Sequence, residues 1–132
     1  MNTTYFKNLV MNHTFGRGAT PNTLPSAYYL GLSATAPTAA GGNVTEPATA
    51  AGYARVSISE AIGNASDGVI SNTTAISFAE STAAWGTVTH FALFDAATDG
   101  NLLAYGSLSP SRAVDSETTL TVKAGQLTLT LS

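Results

Sequence analysis

Apolar and polar residues alternate along most of this chain, and the repeat lengthens only near the start. There Tyr5 and Leu9, and Phe6 and Val10, stand four positions apart, a spacing that stacks side chains on one helical face. Thr3 or Thr4 can cap the start, and Gly16 stands where a helix C-cap belongs. The pattern predicts an amphipathic helix over about residues 3–14. So short a helix barely overcomes its own nucleation cost. It is therefore expected to dock on its own sheet or on a neighbouring chain, with Tyr5, Phe6, Leu9 and Val10 as the contact residues.

A loop marked by Pro21 and Pro25 follows, and then period-two alternation takes over. In AYYLGLSA, Tyr28, Leu30, Leu32 and Ala34 point one way while Tyr29, Gly31 and Ser33 point the other, which predicts a half-buried strand. Residues 35–52 carry no periodicity and hold Pro37, Gly41, Gly42 and Pro47. So long a structureless loop in a compact domain is usually a binding element or a mobile excursion, and here it is expected to be a surface excursion or an arm ordered by a neighbouring subunit. YARVSIS, residues 53–59, alternates again, placing Ala54, Val56 and Ile58 inward and Tyr53, Arg55, Ser57 and Ser59 outward. Ile76 and Phe78 share a face. In TLTVKAGQLTLTLS, Leu120, Val122, Ala124, Leu127, Leu129 and Leu131 read inward, with Ala124-Gly125-Gln126 as a hairpin turn between two strands.

The stretch from Trp85 to Gly106 contains the only Trp and one of two His. Between Phe91 and Phe94 both faces are apolar, so this strand is expected to be covered on both sides, by the opposite sheet and by either the helix or a second copy. Thr98-Asp99-Gly100-Asn101 reads as a tight reversal, since Asp-Gly favours positive φ. The whole pattern predicts a mainly β protein: a β-sandwich or jelly roll of seven to eight antiparallel strands with a short N-terminal helix. Residues 1–15 form the docking helix, and residues 16–132 form one β-sandwich domain with the long loop at 35–52.

Composition narrows the function. Of 132 residues only 10% are charged, while 44% are hydrophobic, which opposes disorder and suits close packing against other proteins. The net charge is −3, and the basic residues Lys7, Arg17, Arg55, Arg112 and Lys123 are scattered, so a nucleic-acid partner is not expected. No apolar run reaches the ~20 residues of a membrane span, and no signal peptide is expected at the start, where MNTTYFKNLV lacks a basic region followed by an apolar core. Without cysteine there is no disulfide or thiolate metal site. Asp95 and Asp99 lack the alternating ligand pattern of a calcium loop. His90 lies among Val88, Ala92 and Phe94, and His13 lies on the helix, a weak basis for a metal site. No nucleophile elbow, P-loop or dinucleotide fingerprint is present. Neither an enzyme nor a cofactor is expected.

GYARVSIS at residues 52–59 and WGTVTHFALFDAATDGNLLAYGSLS at residues 85–109 resemble a family of small tailed-bacteriophage virion structural proteins, often labelled phage tail-fibre or structural protein. YYLGLSATAPTAAGG at residues 28–42 and the closing TLTVKAGQLTLTLS extend the similarity. The resemblance implies a non-enzymatic structural protein made in the host bacterial cytoplasm and carried in the virion. It would pack in multiple copies as a capsid decoration, a head or collar fibre, or a tail appendage. Its partners would be other copies of itself and other virion proteins of capsid, collar or tail, with a trimer expected before a dimer. The alternative is a receptor- or glycan-binding module of a phage fibre, meeting host surface glycan through Tyr29 and Tyr53.

Overall fold

A computed structural model describes residues 1–18 and 23–131; Pro21 of the predicted loop and Ser132 lie outside the described residues. The elements are α1 (Thr4–Phe15), β1 (Tyr29–Ser33), a 3-10 turn (Thr49–Ala51), β2 (Val56–Ser57), β3 (Val69–Ser71), β4 (Ile76–Ser77), β5 (Gly86–Phe94), β6 (Leu102–Val114), β7 (Thr121–Val122) and β8 (Thr128–Thr130). The protein is thus mainly β, with eight antiparallel strands and one short helix among the described residues.

Four strands form one sheet in the order β2-β1-β5-β6, while β3 pairs with β8 and β4 with β7. The β5–β6 pairing follows the predicted reversal. Asp99 and Gly100 adopt φ of 53° and 73°, the left-handed region in which Asp and Gly are favoured. Asp95 fixes the turn by accepting from the Asn101 backbone and side-chain amides at 2.7 and 2.9 Å.

One face of the four-stranded sheet carries the main core. Leu30, Leu32, Val88, Leu93 and Leu103 join Ile76 of β4 and Phe78, Leu120 and Leu127, each beside the end of a paired strand, in a single cluster. At roughly 1.5–3 kcal/mol for each large buried side chain, this cluster dominates the fold. Trp85 anchors its end, donating from Nε1 to the Ala51 carbonyl at 2.9 Å and meeting the Tyr53 ring edge-on at 5.4 Å. The opposite face buries Ala92, Phe94 and Leu102, with Val44 and Tyr105 packed on them.

The expectation that β5 is covered on both sides therefore holds, and within the chain the second cover comes from the 35–52 segment, through Val44, rather than from α1. That segment is tied to the body of its own chain. Ala34 donates to Thr45 O at 2.9 Å, Thr45 donates to Ser33 Oγ at 3.0 Å, and Asn43 Nδ2 reaches Ala36 O at 2.7 Å. Its own polar groups fold it down.

Three further expectations are corrected. β1 is buried on both faces rather than half-buried, because it lies between β2 and β5 with the 35–52 segment above it. Tyr53, expected outward, is only 5% exposed. The alternation misleads there because β2 begins at Val56, leaving residue 53 free to turn inward, and Ala54 is exposed instead. Finally, Ala124-Gly125-Gln126 does turn, but it does not make a hairpin. The buried Asn72 side chain accepts from Leu127 N at 3.0 Å and donates to Lys123 O at 3.0 Å. With Asn72 in the mouth of the turn, β7 and β8 separate to different partners. Leu120 and Leu127 are buried as expected, whereas Ala124 and Leu131 are exposed.

Candidate functional site: the N-terminal helix and the groove beneath it

The chain's first residues add to the outer edge of β6. Thr3 donates its amide to Leu103 O at 2.8 Å, and Tyr105 donates to Met1 O at 2.9 Å. Asn2 bridges to Ala104 and donates from its side chain to Thr130 O at 2.8 Å. Buried Thr3 then serves twice. Its hydroxyl donates to Leu102 O at 2.7 Å, and the same oxygen accepts from Phe6 N at 3.2 Å, capping α1. At the far end Gly16 is left-handed, with φ of 65°, and Arg17 N closes on Asn12 O at 2.7 Å. These are the caps that the sequence predicts.

Between them lies a helix without a single buried residue. Phe6 and Val10 point to the body, where they line an apolar groove of about 520 Å³ together with Tyr28, Ile58, Ile70, Leu93 and Leu129. Leu9 is half-buried, and Tyr5 is 44% exposed. So of the four predicted contact residues, two border the groove, one stands partly covered and one faces away. Sequence reasoning missed a second set. Met11 and Phe15, also four apart, are 57% and 66% exposed on the side away from Phe6 and Val10. An i, i+4 scan continued past Val10 would have found them. The helix is apolar on two sides, and among the described residues only the Phe6/Val10 side packs on the body.

Charge separates along the same line. Residues 1–45 contain Lys7 and Arg17 but no Asp or Glu; all eight acidic residues follow, beginning with Glu46. The helix has no acidic residue in its first turn. Two exposed acidic residues stand next in sequence to residues that line the groove: Glu60 follows Ser59, and Asp67 precedes Gly68.

The other side of the sheet is closed by a polar clasp, which sequence reasoning did not predict. Arg55 donates from Nε and Nη2 to both carboxylate oxygens of Glu46, at 2.9 and 2.8 Å. Its Nη1 donates to Ala96 O and Asp99 O, each at 2.8 Å, and its guanidinium stacks 3.5 Å from the Phe94 ring centre. Tyr53 donates to Glu46 at 2.6 Å and accepts from Leu32 N at 3.0 Å. A Cβ at Gly31 would lie 2.8 Å from the Tyr53 hydroxyl and 2.9 Å from Glu46 Oε1, so the clasp closes only over glycine. Burial pushes the Glu46 carboxyl upward, but hydrogen bonds from Arg55 and Tyr53 and the Arg55 charge outweigh it and hold the group below the usual carboxylate range. Burial and the bond to Glu46 raise the Tyr53 hydroxyl well above the ordinary tyrosine range. Tyr53 is thus a structural ring, and Tyr29 is half-buried on β1.

The histidines do not form a centre. His90 pairs through Nδ1 with Thr89 Oγ1 at 2.8 Å and through Nε2 with Ser107 Oγ at 3.4 Å. Among the described residues no group of three His, Asp or Glu side chains could hold a metal ion, and no helix is long and apolar enough to cross a membrane.

These features define a small, mainly β protein with an apolar groove beside its N-terminal helix. The chain belongs to the family described as podophage GP4 fiber I protein gp80, whose model matches residues 1–130. It is therefore a phage virion protein of a fibre family, in keeping with the resemblance carried by residues 28–42, 52–59 and 85–109. No curated protein matches the chain.

Proposed function

We propose that the chain is a non-enzymatic structural subunit present in multiple copies on the particle, joining its neighbours through α1. The family's description as a fibre protein favours a head, collar or tail fibre over a capsid decoration. Residues 1–15 act as the docking element, and residues 16–132 as a β body in which β3–β8 and β4–β7 serve as the second layer of a sandwich. Its partners are other copies and the virion proteins to which the fibre attaches.

A single observation supports this most strongly: a capped helix with no buried residue and apolar side chains on two sides. A helix of twelve residues is marginal unless its faces are covered, and exposed apolar side chains grouped on one element mark an interaction site. The test is Tyr5→Ser with Leu9→Ser, supplied to phage lacking the chromosomal copy. The expected outcome is a normally folded protein whose copies per particle, counted by quantitative mass spectrometry, fall severalfold. Unchanged copy number would remove α1 from the assembly role.

A further inference from the structure

We infer that the groove beneath α1 receives Met11 and Phe15 from the α1 of a second copy of this chain, so that copies join head to tail. The inference rests on the multi-copy reading above and names the partner of that surface.

The groove remains open although Phe6 and Val10 of its own helix already border it, and its lining is overwhelmingly apolar: Ile58, Ile70, Leu93 and Leu129 are among its walls. At about 520 Å³ it falls within the ~300–1,000 Å³ range that accepts whole small ligands. That leaves room for a methionine and a phenylalanine side chain. Met11 and Phe15 cannot fill it from within the same molecule, because Phe6 and Val10 face the groove and the pair Met11/Phe15 faces away.

Charge selects the same occupant. The segment bearing Met11 and Phe15 carries Lys7 and Arg17 and no acidic residue, while the exposed Glu60 and Asp67 stand next in sequence to the lining residues Ser59 and Gly68. A cationic apolar helix approaching the groove from that side meets carboxylates of opposite charge. The two surfaces lie on different parts of the molecule, so the contact is heterologous: each copy uses its helix on one neighbour and its groove on another. Such a contact closes into a ring or continues as a filament, according to the rotation it imposes.

The experiment uses the full chain and two single variants, Phe15→Glu on the helix and Leu131→Glu at the groove. Leu131 lines the groove yet is 56% exposed, so neither change touches the core, and far-UV circular dichroism with thermal melting checks that both variants fold. Light scattering across a concentration series is expected to show wild-type mass rising with concentration. Each variant alone should associate about tenfold more weakly, as loss of one anchor side chain predicts.

Mixing the two variants is the decisive arm. Phe15→Glu keeps an intact groove and Leu131→Glu keeps an intact helix, so the mixture should form one-to-one pairs that do not grow. A symmetric helix-to-helix contact would leave Leu131→Glu associating as wild type, and that result overturns the proposal. So does a mixture that forms no pairs, or a wild type that stays monomeric at every concentration. Charge supplies a second route: Glu60→Lys should weaken association, and Lys7→Glu combined with it should restore part of the loss. Counting copies of the wild-type chain in purified particles separates the two levels. A chain present in particles but indifferent to these variants sinks the groove contact alone; a chain missing from particles sinks the structural reading itself.

Discussion

The two faces of the β5–β6 hairpin are closed by opposite means. Over Phe94 and Ala92 the chain lays its own 35–52 segment and locks it with a carboxylate, a guanidinium and a phenol that satisfy one another. Over Leu93 and Ala104 it lays a helix that is pinned by its first three residues and otherwise leaves a groove open. Both covers come from segments with little periodicity or few buried positions. What distinguishes them is the currency of attachment: charge-assisted hydrogen bonds hold one cover shut, while bare apolar surface leaves the other available. A low-charge chain that places the Glu46–Arg55 ion pair on one side has committed that side to itself.

The comparison breaks most readily at Arg55. With only 7% of its side chain exposed, Arg55→Ala strands Glu46 and uncovers Phe94, and it should cost about 3–5 kcal/mol, read as a lower urea midpoint. A loss below about 1 kcal/mol, the value of an exposed pair, would mean the clasp is ornamental and the two sides alike. Tyr53→Phe removes one donor to Glu46 and leaves Leu32 N without its acceptor, for about 1–3 kcal/mol in the same assay. On the helix side, Thr3→Val deletes the cap and two hydroxyl bonds to β6, for about 1–2 kcal/mol. Helical signal at 222 nm should fall while near-UV signal from Trp85 persists; joint loss of both would show that α1 is integral to the body.

Acid offers a gentler probe. Because the Glu46 carboxyl is depressed in the fold, its contribution is complete above its unfolded value and is lost as pH falls through the folded one. The stability gap between wild type and Glu46→Gln should therefore narrow below about pH 4, as urea titrations at pH 3 and pH 6 would reveal. Smallest of all, Phe15→Ser should move the melting free energy by no more than about 0.5 kcal/mol. A larger loss would mean that Phe15 already has a partner within its own chain.

Local signals were legible in the sequence. The caps at Thr3 and Gly16, the Asp99-Gly100 reversal and the shared burial of Ile76 and Phe78 all follow from residues within a few positions of one another. What the sequence hid was long-range choice. Tyr53 turns inward because Glu46 and Leu32 await its hydroxyl, and neither is a strand neighbour. The C-terminal turn parts its strands because Asn72, fifty-five residues before Leu127, enters between them. Of the helix's apolar residues, the inner pair Phe6 and Val10 was visible in the periodicity. Met11 and Phe15 carry the same i, i+4 signal, but they form a second stripe, and a search for one docking face stops at the first.

The three residues ahead of α1 have a consequence for how this protein behaves in a crowd. β6 is thirteen residues long and stands at the margin of its sheet, the kind of open backbone that recruits other chains into disordered aggregates. Residues 1–3 occupy its opening portion. Farther along, Pro110 offers no N–H and Arg112 adds a charge, two features that discourage strand addition. An edge so occupied is guarded against zippering onto the edge of another molecule, and resistance to aggregation becomes a property of residues 1–3 as much as of surface charge.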